Sequence, residues 1–470
     1  MKPNKTIAPD LKSLFQPRSV AMVGASQDET KSGGMFISRL LKDGYKGAIY
    51  PINRKESEIR SLKSYPSVLD VPGEIDLAVM AIPAAGVPKV IAECAQKGVK
   101  FAIVHSVGFS ELGAEGKELE RQILETARSG GVRIVGPNCM GMFSPRSSIN
   151  TIAPNSRLPM EPGSLAFVGQ SGWATENMIL LGNERGLRFS GVISIGNQSD
   201  LTIEDFLEYF GNDPETRAIA FYIEGIKQAS RFLKLAEEIS PRKPIIAWKG
   251  GSSEFGAKAA ASHTGSLAGN YALFEAASRQ KGIISALSLE DLMDISVAFS
   301  CPHLPKGNKV GMLIEAGGGA VASGDACAEA GLDVSPLPKD VQQKLREFLN
   351  GKIPPSPSLA NPVDLIWPPF SQAPSIFATC LEIMAQAVDS CLMICYVPIH
   401  DESFLSLLEN IRDQAKMPII FIPGNPIDQR EGMSLATRRG IPAYTMPENA
   451  VRAIAALTQR AKHIKSLAAT

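Results

Sequence analysis

The sequence predicts an α/β protein built from three doubly wound parallel-sheet domains. Two observations carry that expectation. Short apolar runs alternate with helix-length amphipathic segments, as in Ser19-Val-Ala-Met-Val-Gly24, Asp76-Leu-Ala-Val-Met-Ala-Ile82 and Phe101-Ala-Ile-Val104. Near-continuous apolar strands followed by helices belong to parallel sheets covered on both faces. The rhythm also restarts twice, after Leu158-Pro-Met-Glu-Pro-Gly163 and after Cys301-Pro-His-Leu-Pro-Lys-Gly-Asn308, both of linker composition. The expected domains are residues 1–150, 151–305 and 306–470, and 470 residues are enough to give each its own core.

In the first domain, Val20-Ala-Met-Val-Gly-Ala-Ser26 runs into Lys31-Ser-Gly-Gly34 and a helix. Such a turn sets backbone N–H groups and a helix N-terminus at the carboxyl end of the sheet, where phosphates bind. It is not a Gly-x-Gly-x-x-Gly fingerprint. The next strand, Ala48-Ile-Tyr-Pro-Ile-Asn53, ends in Arg54-Lys55, where an NAD enzyme would place an acid for the ribose 2′-hydroxyl. Positive charge there suits a nucleotide with an extra ribose phosphate, either coenzyme A or NADP. Spacing alone does not separate them. Ile82-Pro-Ala-Ala-Gly86 and Ser106-Val-Gly-Phe-Ser-Glu111 leave the same edge, with room for a thin arm such as pantetheine.

The second domain opens with Phe167-Val-Gly-Gln-Ser-Gly-Trp173 and a helical run, again an anion seat of N–H groups and helix dipole. The strand Ala218-Ile-Ala-Phe-Tyr-Ile-Glu-Gly225 carries one acid, Glu224, at its carboxyl end. After Lys243-Pro-Ile-Ile-Ala-Trp-Lys249 comes Ala257-Lys-Ala-Ala-Ala-Ser-His-Thr-Gly-Ser-Leu-Ala-Gly269. His263 lies among small residues that give access to its ring, which suits a nucleophile on a loop that moves. Neutral imidazole can attack phosphorus and hold a phosphoryl group once another side chain fixes its tautomer. Glu224 could accept the Nδ1 proton and leave Nε2 free. Gly251-Ser-Ser-Glu-Phe-Gly256 resembles a phosphate loop, but Lys258 misses the Walker A register and no Ser or Thr follows it. The third domain starts at Lys309-Val-Gly-Met-Leu-Ile314 and contains a proline-rich loop, Gly351-Lys-Ile-Pro-Pro-Ser-Pro-Ser358.

Composition narrows the function classes. Lys plus Arg and Asp plus Glu both number 48, giving zero net charge and arguing against nucleic-acid or membrane-surface partners. Seven scattered cysteines lack zinc or redox spacing and read as reduced cytoplasmic thiols. Apolar runs such as Met417-Pro-Ile-Ile-Phe-Ile-Pro423 are too short to span a bilayer, and the amino terminus has no signal-peptide pattern. No clustered ligand set for a metal is visible. A cytoplasmic enzyme is expected.

Taken together, Ser-His-Thr-Gly-x-Leu-Ala-Gly, the Gln-Ser-Gly turn, Gly136-Pro-Asn-Cys-Met-Gly141 and Asn361-Pro-Val-Asp-Leu365 resemble the NDP-forming acyl-CoA synthetases, relatives of succinyl-CoA synthetase. The similarity runs from about Leu14 to the last helix. It implies a Rossmann-like CoA-binding domain followed by two flavodoxin-like ligase domains, as in the α subunit of that family. ATP or ADP with Mg would bind an ATP-grasp domain on a β subunit, so a hetero-oligomer is implied. The resemblance makes His263 the phosphohistidine and Glu224 its orienting acid, with Ser171, Gly172 and Asn138 holding phosphate. Gly24, Ser26, Lys31, Asn53, Arg54, Lys55, Ile82, Pro83, Ser106, Gly108 and Glu111 fall on CoA contacts. A small carboxylic acid, CoA and phosphate would meet in this chain, and acyl phosphate would form there. Departures from the family pattern are Trp173 after the Gln-Ser-Gly turn, Glu315-Ala-Gly-Gly-Gly-Ala320 for Asn-Ala-Gly-Gly-Pro-Gly, and Trp367-Pro-Pro369. They bear on the acid substrate more than on the reaction type. The competing readings are a CoA-binding regulatory or scaffold protein, which predicts loss of His263 or Glu224, and an NADP-dependent dehydrogenase, which leaves the His263 loop without a task.

Overall fold

The computed structural model describes residues 10–153, 156–256, 258, 271–315, 317–355 and 358–468. Among them, three mainly parallel sheets follow one another along the chain. The first part contains β1 (Ser19–Val23), β2 (Ala48–Ile52), a ribbon of β3 (Glu58–Ile59) and β4 (Leu62–Lys63), then β5 (Leu77–Met80), β6 (Phe101–Val104) and β7 (Arg133–Val135). Its sheet has the order β2-β1-β5-β6-β7 with every pair parallel. Residue alternation explains the two covered faces. Val20 and Met22 enter one core while Ala21 and Val23 enter another, and Leu77 and Val79 separate from Ala78 and Met80 in the same way.

The second sheet contains β8 (Gly141–Ser144), β9 (Ile149–Asn150), β10 (Leu165–Gly169), β11 (Phe189–Ser194), β12 (Ala218–Ile223), β13 (Ile245–Lys249) and β14 (Ile283–Ala286). Its order is β14-β13-β12-β10-β11-β8-β9. Strands β10 to β14 are parallel, and β8 pairs antiparallel with β11 and β9. The expected boundary at residue 150 thus differs from the division between sheets, which falls between β7 and β8. Strands this short carry no periodic signature, and β8 joins the sheet through β11, far along the chain. The free edge of β7 is closed by the segment at Asp200. Its carboxylate accepts from Arg133 Nε at 2.7 Å and Ile134 N at 3.0 Å, and Leu201 N donates to Ile134 O at 3.1 Å.

The third sheet contains β15 (Val310–Ile314), β16 (Val363–Asp364), β17 (Ser390–Cys395) and β18 (Ile419–Pro423). Its order is β16-β15-β17-β18, all parallel, and a single bridge from Phe421 to Ala443 extends it. Counted over its parallel strands alone, each sheet repeats one arrangement: second strand, first, third, fourth. The chain forms two compact units. Met1–Leu180 with Arg188–Leu287 holds the first two sheets, and Leu181–Leu187 with Ser288–Thr470 holds the third. The helix Leu289–Ala298 belongs to the latter unit, one helix earlier than the expected boundary at 305. There Arg452 pairs with Asp291 at 3.0 Å, and the Tyr444 hydroxyl donates to Asp294 O at 2.8 Å.

All seven cysteines are buried free thiols. Burial pushes Cys94 and Cys139 up to about 12. Among the described residues, no helix is long and apolar enough to cross a membrane, and no group of three or more His, Cys, Asp or Glu could hold a metal.

Candidate active site

In a doubly wound sheet, loops on either side of the reversal point diverge and leave a crevice beyond the carboxyl ends of the strands. The first sheet reverses between β1 and β5. Gly24 follows β1 with φ +86°, a conformation that glycine adopts without strain. A Cβ there would lie 2.4 Å from Ala81 O. The helix Ser32–Lys42 then starts close against this turn, because a Cβ on Gly33 would lie 2.0 Å from Gly24 O. Both glycines are therefore required by the approach of backbone to backbone.

The loops predicted from sequence meet at this edge. Asn53 bridges two of them: its Nδ2 donates to Ala25 O at 2.7 Å, and its Oδ1 accepts from Lys55 N at 2.7 Å and Glu56 N at 3.1 Å. Arg54, Lys55, Lys31 and Pro83 are exposed, whereas Ser26 is half-buried, its Oγ accepting from Asp28 N at 3.1 Å. The Ser106 hydroxyl donates to Ile82 O, and Ser106 O accepts from Asn138 N at 3.0 Å. Glu111 folds its carboxylate back on its own loop, accepting from Gly108 N at 2.6 Å and Phe109 N at 3.1 Å, and also from Asn197 Nδ2 at 2.7 Å. Burial pushes this carboxyl up, but the hydrogen bonds from Asn197 and the backbone outweigh it, and its pKa is lowered. Glu111 is thus a loop brace whose oxygens are engaged by the protein itself.

The second sheet reverses between β10 and β12, and here the turn Gln170-Ser171-Gly172 faces Glu224. Ser171 starts the helix Gly172–Glu184, its Oγ accepting from Ala174 N at 3.3 Å. A Cβ on Gly172 would lie 2.7 Å from Met140 Sδ, which places the Gly136–Gly141 stretch against this turn. Asn138 in that stretch has φ +54° and donates from Nδ2 to Asn197 Oδ1 at 3.3 Å. Gly172 thus lies against Met140, in the stretch whose Asn138 is held by Asn197.

Glu224 is 8% exposed and follows β12 directly. Gln170 fixes its backbone. The amide Oε1 accepts from Glu224 N at 2.5 Å and Gly225 N at 2.8 Å, while Nε2 donates to Gly225 O at 2.6 Å. Burial and the charge of Glu224 raise the Tyr222 phenol pKa, keeping it protonated. Lys249 ends β13 with its ammonium buried, donating to Glu224 O at 2.9 Å and Gly250 O at 2.6 Å. Burial lowers its pKa, and the Glu224 charge opposes that shift. Gln170, Tyr222 and Lys249 were not among the residues expected from sequence. A lysine closing the otherwise apolar run Ile245-Ile-Ala-Trp was the one visible signal. His263 lies outside the described residues.

The departures seen in sequence are partly located. Trp173 is 61% exposed at the first turn of the helix after Gln170. In the other unit, Glu315 is buried and accepts from Tyr396 N at 2.8 Å, and burial raises its pKa. The exposed Trp367 ring lies 5.1 Å from the Tyr396 ring.

Residues 18–145 match the family model of a CoA binding domain, and residues 162–299 that of a succinyl-CoA ligase-like flavodoxin domain. The α subunit of ADP-forming acetate–CoA ligase I from Pyrococcus furiosus is 39% identical over 471 residues, covering 96% of this chain and 99% of that subunit. The chain belongs to the α subunits of the ADP-forming acid–CoA ligases. ADP-forming acetate–CoA ligase I of Archaeoglobus fulgidus is 37% identical over 96% of this chain, which spans 64% of that protein. Among solved structures, dinucleotide-forming acetyl-coenzyme A synthetase 1 of Ca. Korarchaeum cryptofilum, in complex with phosphate and ADP, is similar with a TM-score of 0.85. It shares 34% identity and 98% of each chain is covered. This ligase α subunit therefore has the fold and the reaction class that the motifs implied, and membership as a subunit implies a partner chain.

Proposed function

We propose that the chain supplies the CoA and phosphohistidine half of an acid–CoA ligase, with His263 as the residue that carries the phosphoryl group. The observation that carries this reading is Glu224, buried beside the Ser171–Gly172 helix start at the reversal point of the second sheet. In the ligase direction, ATP on the partner phosphorylates Nε2 of His263 and leaves as ADP. Glu224 accepts the Nδ1 hydrogen bond and stabilises the imidazolium that forms. The phosphoryl group then passes to the carboxylate substrate, giving acyl phosphate, and the N–H groups at Ser171 and Gly172 support its charge. The CoA thiolate attacks the acyl carbonyl, the C–O bond breaks and inorganic phosphate departs, with Asn138 beside it.

CoA is assigned to the first sheet. Gly24 and Gly33 bring the helix start to the carboxyl edge, and Lys31, Arg54 and Lys55 supply exposed positive charge there. Ile82, Pro83, Ser106 and Gly108 shape the neighbouring loops, and Glu111 holds one of them in place. The nucleotide with its Mg ion belongs on an ATP-grasp β subunit, in keeping with the larger single-chain relative of which this chain spans 64%. The small carboxylic acid is recognised near Trp173.

The test is phosphate labelling of the complete α–β complex with ATP. The expected product is an acid-labile, base-stable phosphate that His263→Asn abolishes while CoA binding persists. Glu224→Gln should slow labelling on the order of 10²-fold. Labelling that survives in His263→Asn would overturn the assignment.

A further inference from the structure

We infer that Asn197 is a positioning residue for CoA: from the loop after β11 of the second sheet it braces residues 106–111 of the first. The inference rests on the proposed assignment of CoA to the carboxyl edge of the first sheet and adds what holds one wall of that crevice. Both loops lie in the unit of the first two sheets. Residues 106–111 lie outside strand and α-helix, so their shape has to come from individual hydrogen bonds. Gly108 at the centre has φ +114°, and Val107 beside it is 65% exposed. A Cβ on Gly108 would lie 3.0 Å from Ala84 Cβ, so the segment also abuts the loop after β5.

A glycine sets Asn197 in place. Gly196 has φ +48°, and a Cβ on it would lie 2.2 Å from Asn138 O, so its lack of a side chain lets this turn lie against residues 136–138. Asn197 N then donates to Pro137 O and Ser199 N to Gly136 O, each at 3.0 Å. With the backbone fixed, the side chain uses both of its ends. Oδ1 accepts from Asn138 Nδ2 at 3.3 Å. Nδ2 reaches three acceptors: Glu111 Oε2 at 2.7 Å, Ser110 Oγ at 3.1 Å and Glu120 Oε2 at 3.1 Å. Glu111 passes the hold on, since its Oε1 accepts from Gly108 N at 2.6 Å and Phe109 N at 3.1 Å. Glu120, on the helix Ala114–Ser129, accepts from Ser110 N at 3.2 Å and Ser110 Oγ at 2.7 Å. The other end is tied where Asn138 N donates to Ser106 O at 3.0 Å. One amide thus closes a ring of hydrogen bonds around residues 106–111, and it gathers two carboxylates that repel each other.

The experiment measures Kd for CoA and for dephospho-CoA by calorimetry on the α–β complex. Asn197→Asp keeps the size of the side chain and an acceptor for Asn138, but it removes the donor to Glu111. Both ligands should bind about ten-fold or more weakly, the loss expected when a charged group is deprived of its hydrogen-bond donor. The factor should be the same for both, because the brace acts on the loop after β6 and not on Arg54 and Lys55. Adding Glu111→Gln restores the bond with donor and acceptor exchanged. It should recover affinity in part, with Glu120 still facing residue 197. Wild-type affinity in Asn197→Asp, a loss confined to CoA, or a double variant that binds no better than Asn197→Asp overturns the inference. If Asn197→Asp fails to fold, as judged by loss of its thermal transition, Asn197→Ala decides: equal weakening of both ligands supports the brace and unchanged binding overturns it. Neutralising Arg54 and Lys55 is run in parallel. A lost preference for CoA there with normal binding in Asn197→Asp sinks the brace alone, while unchanged CoA binding in both removes the assignment of CoA to this edge as well.

Discussion

His105 stands at the end of β6 with its ring centroid 4.7 Å from that of Phe36 and its Nε2 atom shut away from solvent. Burial pushes its pKa down to about 4, against a smaller upward pull from a hydrogen bond with the Cys139 backbone. Between pH 4 and an unfolded value near 6.5, the unfolded chain binds more protons than the folded one. Stability from this residue is then complete above about pH 6.5 and is lost as pH falls toward 4, amounting to about 3 kcal/mol at most. Thermal melts of His105→Gln should show a flatter dependence on pH across that window than wild type. Equal slopes would mean that another group sets the acid limit. Nothing in the sequence distinguishes His105 from the other histidines, because its state depends on Phe36 and Gly141 approaching from distant parts of the chain. His263 drew its reading from the small residues next to it, and it lies outside the described residues.

At the scale of elements, the glycine-rich starts of the helices at Ser32 and Gly172 were readable because close backbone approach leaves a compositional trace. Gly33→Ala tests the first of them. Its new Cβ would meet a main-chain oxygen that cannot rotate away, so the helix must shift, at a cost of about 1–3 kcal/mol in stability. CoA affinity by calorimetry should fall about ten-fold or more. The loop after β2 carries two exposed cations where an acid is usual. Neutralising Arg54 and Lys55 together should remove most of the preference for CoA over dephospho-CoA, since a charge-assisted phosphate contact is worth about 1.5–3 kcal/mol. NADP binding more tightly than CoA would reopen the dehydrogenase reading. Asn53, by contrast, acts as a bridge between two loops, and its amide contacts have no local signature. Strands β8 and β9 were not read from sequence for a similar reason, because antiparallel additions at an edge are chosen by tertiary pairing.

For the whole molecule, the alternation of strands and helices disclosed three sheets, and the repeated strand order places a crevice at the carboxyl end of each. It could not disclose that Leu289–Ala298 belongs with the third sheet, where Asp291 and Asp294 find Arg452 and the Tyr444 hydroxyl. The division of labour between subunits makes a prediction at this scale. The purified chain should bind CoA but form no acyl-CoA from acid, ATP and CoA until a β chain is added, after which the pair should co-elute. Acyl-CoA formation by the chain alone, with partner excluded by mass spectrometry, would require a nucleotide site within it.

The buried thiols give the protein an internal clock for its own opening. Only thiolates react readily with alkylating reagents, so groups that are both sealed and hard to ionise should resist modification in the native state. Cys94 and Cys139 sit in the unit of the first two sheets, while Cys301, Cys327, Cys380, Cys391 and Cys395 sit in the unit of the third. Peptide-resolved labelling in mild urea therefore separates the two units without any engineered probe. If they open independently, the five should become modified at one denaturant concentration and the two at another. A single shared midpoint would reveal that the units unfold as one.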